Sequence, residues 1–123
     1  MSQIHNKFKV FSGKPSVDRS IGNLGSEIEK FVSEAKVAAK SIGVEYLEGA
    51  GRLIMTLGYS DDQPSVPIKV NCVRIGKIDT EADFSKLEKA MTEAADRQRN
   101  IICHELYITD EQEFFMVFMT QQG

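Results

Sequence analysis

The stretch EFFMVFM, Glu113 to Met119, sets six apolar residues in a row near the end of an otherwise polar chain. Successive side chains of a strand point to opposite faces, so a strand with one wet face alternates apolar and polar residues. Phe114 to Met119 does not alternate, and it is far shorter than the roughly 20 residues a membrane helix requires. It reads as a strand covered on both faces. The chain must supply both covers, or supply one and take the other from a partner.

The rest of the chain shows what covers are available. Phe8 and Val10 alternate with Lys7 and Lys9, the period of a strand. SGKPSVDRSIGNLG, rich in Gly, Ser and charge, reads as a loop. Ser26 stands three residues before Glu29, the capping-box spacing, and Ile28, Phe31, Val32, Ala35, Ala39 and Ile42 follow at helical spacing. A helix is predicted over Ser26 to Lys40, stopping near Gly43. VEYLEGAGRLIMTLGY reads as two strands joined at Gly49-Ala50-Gly51, and Ile68, Val70 and Cys72 form another strand after Pro64 and Pro67. Thr80 and Asp83 open a second helix, predicted to run to Asn100, with Phe84, Leu87, Met91 and Ala94 as its stripe. Ile101 to Ile108 and Glu113 to Thr120 complete a hairpin around TDEQ.

This order is strand, helix, strand, strand, written twice. IEKFVSEA aligns with LEKAMTEA, identical at Glu29/Glu88, Lys30/Lys89, Glu34/Glu93 and Ala35/Ala94, and Phe8-Lys9-Val10 aligns with Ile68-Lys69-Val70 at nearly the same offset. The expected fold class is α+β: a tandem β-α-β-β repeat, about 7–60 and 66–121 of a single domain, forming antiparallel sheet with two helices packed on one face. Within a unit the returning helix leaves the first two strands parallel, so an all-antiparallel sheet needs the third strand between them. Leu53, Met55 and Leu57 correspond to Phe114, Met116 and Phe118, apolar in both halves, and this set is expected under the helices. Ile54, Thr56 and Gly58 correspond to Phe115, Val117 and Met119. Their face is expected to be covered by another sheet or another chain, which makes Phe115, Val117, Met119 and Ile54 the candidate interface.

Composition narrows the partners. At 123 residues the chain is long enough to bury a core without metal or disulfides. Its net charge of −3, with cations scattered among acids, lacks the basic footprint of a nucleic-acid binder. No run is long enough to span a membrane, and MSQIHNKFKV has no apolar segment behind its cations, so a cytoplasmic chain is expected. Cys72 and Cys103 fit a reducing compartment and are expected to remain thiols, held apart by the central strand. Cys103 and His104 are strand neighbours on opposite faces and cannot act on each other as nucleophile and base.

The best small-molecule candidate is the glycine-rich loop. Lys14 and Arg19 could attract an anion while Gly22, Gly25 and Ser26 present amides at a helix start, with His104 as a further titratable group. Neither P-loop nor dinucleotide spacing is present, so no catalytic residue, metal or cofactor is assigned. The plan is similar to that of small ligand-binding and regulatory domains with a groove between two halves, an analogy of architecture alone. The expected function is a non-enzymatic binding or regulatory protein using an apolar sheet face, as homodimer, adaptor or chaperone-like cover. The alternative is a small-molecule sensor or small enzyme using a cleft between the halves.

Overall fold

The computed structural model describes residues 7–13, 17–47, 52–77, 83–109 and 112–122, and of 17–22 the backbone alone. The elements run β1 (Lys7–Gly13), α1 (Val17–Ala35), β2 (Ala38–Leu47), β3 (Arg52–Ser60), β4 (Ile68–Lys77), α2 (Phe84–Asp96), β5 (Ile101–Ile108) and β6 (Glu113–Gln121). They form two three-stranded antiparallel sheets, ordered β1-β3-β2 and β4-β6-β5. In each sheet the last strand of the unit is central, the arrangement that the return through a helix requires.

Register sorts the apolar residues by face. Met55 pairs with Phe11 and Val44, and Leu57 with Lys9 and Ile42, so one face of the first sheet carries Leu53, Met55 and Leu57, all buried. Leu24, Ile28 and Val32 of α1 pack into the same cluster. In the second sheet Met116 and Phe118 pack with Ala94 of α2, flanked by Met91, Ala95, Val73, Ile75 and Leu106. Leu53, Met55 and Leu57 thus lie with α1, and Met116 and Phe118 with α2, as expected, while Phe114 is buried but belongs to neither cluster.

The opposite face of β6 answers the question its sequence raises. Phe115, Val117 and Met119 belong to the buried cluster that holds Leu53, Met55, Leu57 and the α1 stripe, together with Ile68 and Tyr107. The second cover of EFFMVFM is the first half of the same chain. α1 touches β1, β3 and β4, while β2 runs beside β5. The sheets therefore close on each other at β2 and β5, and α1 fills the wider gap toward β1 and β4. This corrects the expectation that both helices lie on one face: α1 sits between the sheets, and α2 lies on the far side of the second.

The helix bounds are corrected too. α1 begins at Val17 and ends at Ala35, against a predicted Ser26 to Lys40. Leu24 continues the stripe of Ile28 and Val32 backward by one turn, and the burial of all three outweighs the low helix propensity of the intervening glycine. Gly25 is needed for packing: a Cβ there would lie 3.0 Å from Val70 Cγ1 on β4. Lys36, at φ 55°, turns the chain out of the helix. Buried Ala39 and Ile42, read as the end of the helical stripe, then lie on strand β2.

α2 runs from Phe84, with Asp83 at the N-cap making no side-chain cap bond, to Asp96, short of the predicted Asn100. Asn100, at φ 56°, leads into β5. Thr80, the Gly49-Ala50-Gly51 turn and Asp110-Glu111 lie outside the described residues. Within the β5–β6 turn, Thr109 N–H donates to the Glu113 carbonyl at 2.9 Å, and Gln112 N–H to the Thr109 carbonyl at 2.9 Å.

Candidate functional site

The interior is shared by the two halves, so a surface for other molecules must be sought outside it. Phe115, Val117 and Met119, three of the four candidate interface residues, are fully enclosed by their own chain. The fourth, Ile54, is half-buried on the outward face of the first sheet. That face is assembled by register: Phe8 pairs with Gly58, Val10 with Thr56, Ser12 with Ile54, Glu45 with Ile54 and Leu47 with Arg52. Phe8 is 72% exposed and Val10 62%, against a neighbour, Phe11, that is buried on the other face. Leu47 is exposed as well.

Local chemistry shapes this face. The Phe8 ring lies over Gly58, where an added Cβ would come within 3.3 Å of the ring and would also collide with the Ser41 hydroxyl. Arg52 crosses to β1, donating from its guanidinium to the Ser12 hydroxyl at 3.2 Å and the Ser12 carbonyl at 3.3 Å. A shallow cavity of about 230 Å³ lies at the β2 side, lined by Gly43, Glu45, Ile54, Thr56 and, from β5, Glu105. The result is an apolar strip with charged groups at its margins. On the inward side Lys9 holds its ammonium 5.2 Å from the Phe31 ring and 5.8 Å from that of Phe11. Lys7 pairs with Asp61, which lifts the lysine pKa, and Ser60 donates to Asp62.

The amides expected at a helix start are placed elsewhere. Gly22, Gly25 and Ser26 lie inside α1, beyond its first turn, so their amides belong to the helical ladder and do not form an open N-terminus. Lys14 and the side chain of Arg19 lie outside the described residues. His104 is exposed opposite Phe118, on the α2 face of the second sheet, whereas Gly25 abuts Val70 on the other face. Of the described candidates, His104 and Gly25 thus stand on opposite faces of the second sheet. Among the described residues no group of three or more His, Cys, Asp and Glu side chains is placed to hold a metal, and no helix is long and apolar enough to cross a membrane.

A second feature is a cleft where the halves meet; the sequence names such a cleft as the alternative site but not the residues that line it. A cavity of about 370 Å³ lies between α1 (Glu29, Val32, Ser33) and the connection Ser65, Val66, Pro67 and Ile68. Partial burial pushes the Glu29 carboxyl above its ordinary pKa, while the Val70 backbone N–H donating to it and nearby Lys69 pull the other way. A carboxyl group whose folded pKa is raised opposes folding when ionised. Glu29→Gln is therefore expected to raise Tm slightly at pH 7. The gain should shrink as pH falls through the folded pKa, where the native group is protonated too. Tm measured from pH 7 to pH 4 checks this, and a fall in Tm at pH 7 contradicts it.

Both cysteines face the interior across β6: Cys72 is opposite Val117 and Cys103 opposite Met119. They are separated by two strand spacings, roughly 9–10 Å, beyond disulfide reach, and neither forms a disulfide. Burial pushes the Cys103 thiol pKa up, only partly offset by the backbone of Ile42. Alkylation of native Cys103 at pH 7 should be slower than that of a free thiol in solution, and two thiols should titrate after denaturation without reductant. Recovery of fewer than two, or fast native labelling of Cys103 by mass spectrometry, contradicts this placement. No protein-family model, curated protein or solved structure matches this chain.

Proposed function

We propose that the protein is a small non-enzymatic binding or regulatory protein that works through the outward face of its first sheet, as homodimer, adaptor or cover for another chain. The observation that carries this reading is the pair Phe8 and Val10, 72% and 62% exposed on a sheet face whose helix lies on the other side. Scattered surface apolar residues are ordinary, but here they stand on one strand beside Ile54 with polar groups around them, the make-up of an interaction patch. Phe8→Asp with Val10→Asp should leave Tm nearly unchanged, because both side chains are already in water, and should abolish association with copy or partner. Sedimentation equilibrium and calorimetry together test this. A double variant that unfolds, or one that associates as the wild type does, defeats the reading.

The cleft at Glu29 supports a second reading, a small-molecule sensor or small enzyme working between the two units, which on this reading descend from a duplicated β-α-β-β element. A thermal-shift screen against metabolites separates the two. Saturable stabilisation that survives Phe8→Asp and is lost in Ser33→Trp favours the cleft, since a ligand that binds only the native state raises its stability.

A further inference from the structure

The cleft beside α1 is small and mixed in chemistry. Its volume of about 370 Å³ lies near the lower end for small-molecule sites. Glu29, Val32 and Ser33, spaced i, i+3 and i+4, form its helical wall, and Ser65 to Ile68 form the other. Of the described residues that line it, Glu29 alone carries a charge. Its carboxylate accepts from the Val70 N–H and has lone pairs left for further donors. Lys69 does not line the cleft: by strand parity it shares the α2 face with Asn71, whose amide donates to the Gln98 side chain at 3.1 Å.

The edge of β4 adds a backbone acceptor. Gln121, the register partner of Ile68, donates its N–H to the Asn100 carbonyl at 2.9 Å, and the Gln122 N–H donates to the Pro67 carbonyl at 2.8 Å. Backbone groups of successive strand residues alternate in direction, so those of Ile68 and Val70 turn away from β6 toward α1, where the Val70 N–H meets Glu29. The Ile68 carbonyl therefore stands at the cleft, on the same edge as the Glu29 contact.

The geometry points to a binding site for a small primary ammonium with a short apolar body, held between the Glu29 carboxylate and the Ile68 carbonyl. This rests on the cleft reading and deepens it by naming the ligand class. An ammonium has three donors and no acceptor, which matches a carboxylate, a carbonyl and the hydroxyls of Ser33 and Ser65. The apolar body covers Val66 and Pro67, which the fold leaves partly or wholly in water. Charge selects against other ligands of the same shape. A ligand carboxylate meets Glu29 as a like charge, and an alcohol offers one donor and no counter-charge. Desolvation already disfavours the ionised Glu29, and a bound cation offsets that penalty.

The test uses cyclohexylmethylamine, cyclohexylmethanol and cyclohexanecarboxylate, three probes of one shape, read by calorimetry and amide shifts on the intact protein at pH 7. The amine should bind saturably, shift amides of residues 29–33, 65, 66 and 68, and bind at least about tenfold tighter than either analogue, the ratio for one charge-assisted hydrogen bond. Glu29→Gln should lower the amine to the affinity of the alcohol, and Ser33→Trp should abolish its binding. If the alcohol or the carboxylate binds the wild type as tightly as the amine, or Glu29→Gln binds the amine undiminished, the inference is overturned and the cleft remains a site for another ligand class. The three probes on the wild type decide this even where a variant fails to fold. Failure of all three to bind also overturns the inference. If the metabolite screen then yields no saturable stabilisation that Ser33→Trp removes, the cleft reading falls with it.

Discussion

Val117→Glu should abolish cooperative melting as completely as Met116→Glu does. Val117 is 0% exposed and Met116 3%, and they point to opposite faces of β6. Met116 lies against α2. Val117 lies in the cluster that joins β6 to the first sheet and α1. Each glutamate places a carboxylate among apolar side chains without a partner, which costs several kcal/mol against a total stability of about 5–15 kcal/mol. Circular dichroism melts and sedimentation on both variants give the answer. If Val117→Glu melts like the wild type and only its oligomeric state changes, the face of Phe115, Val117 and Met119 is a surface and the inter-sheet core is wrong.

Phe118→Ala should destabilise by about 3–5 kcal/mol, the range for deleting a fully buried aromatic side chain. The ring is 0% exposed and packs with Met116 and Ala94, with Met91, Ala95 and Leu106 around it. Because this cluster is small and holds the buried side of α2, the variant should also speed hydrogen exchange along α2 more than along α1. Urea unfolding measures the first effect and amide exchange the second. A loss below about 1.5 kcal/mol would mean that α2 settles into the vacated space.

The strands were largely legible in the sequence. Period-two alternation marked β1 and β4, and the comparison of the two halves identified Leu53, Met55, Leu57, Met116 and Phe118 as residues that pack under the helices. The start of α1 was not legible, because glycine in VDRSIGNLG signals a loop locally and serves here as a close-packing residue against Val70. The exposed Phe8 and Val10 were hidden for a related reason. Alternation locates a strand but does not say which parity turns inward, and β1 places Phe11 and the two lysines on the helix side.

The sequence by itself determined that β6 needs two apolar covers, that the third strand of each unit is central, and that two cysteines on flanking strands stay apart. These follow from periodicity, chain reversal and strand spacing, which act within one unit. Tertiary structure alone decided that the second cover of β6 is the first sheet with α1, that the helices lie on opposite faces of the second sheet, and that the two most exposed large apolar side chains, Phe8 and Val10, stand on β1. Those outcomes depend on how two units of similar pattern pack against each other. The hydrophobic effect rewards burial of apolar area without specifying which partner buries it, so shape complementarity between the units makes the choice.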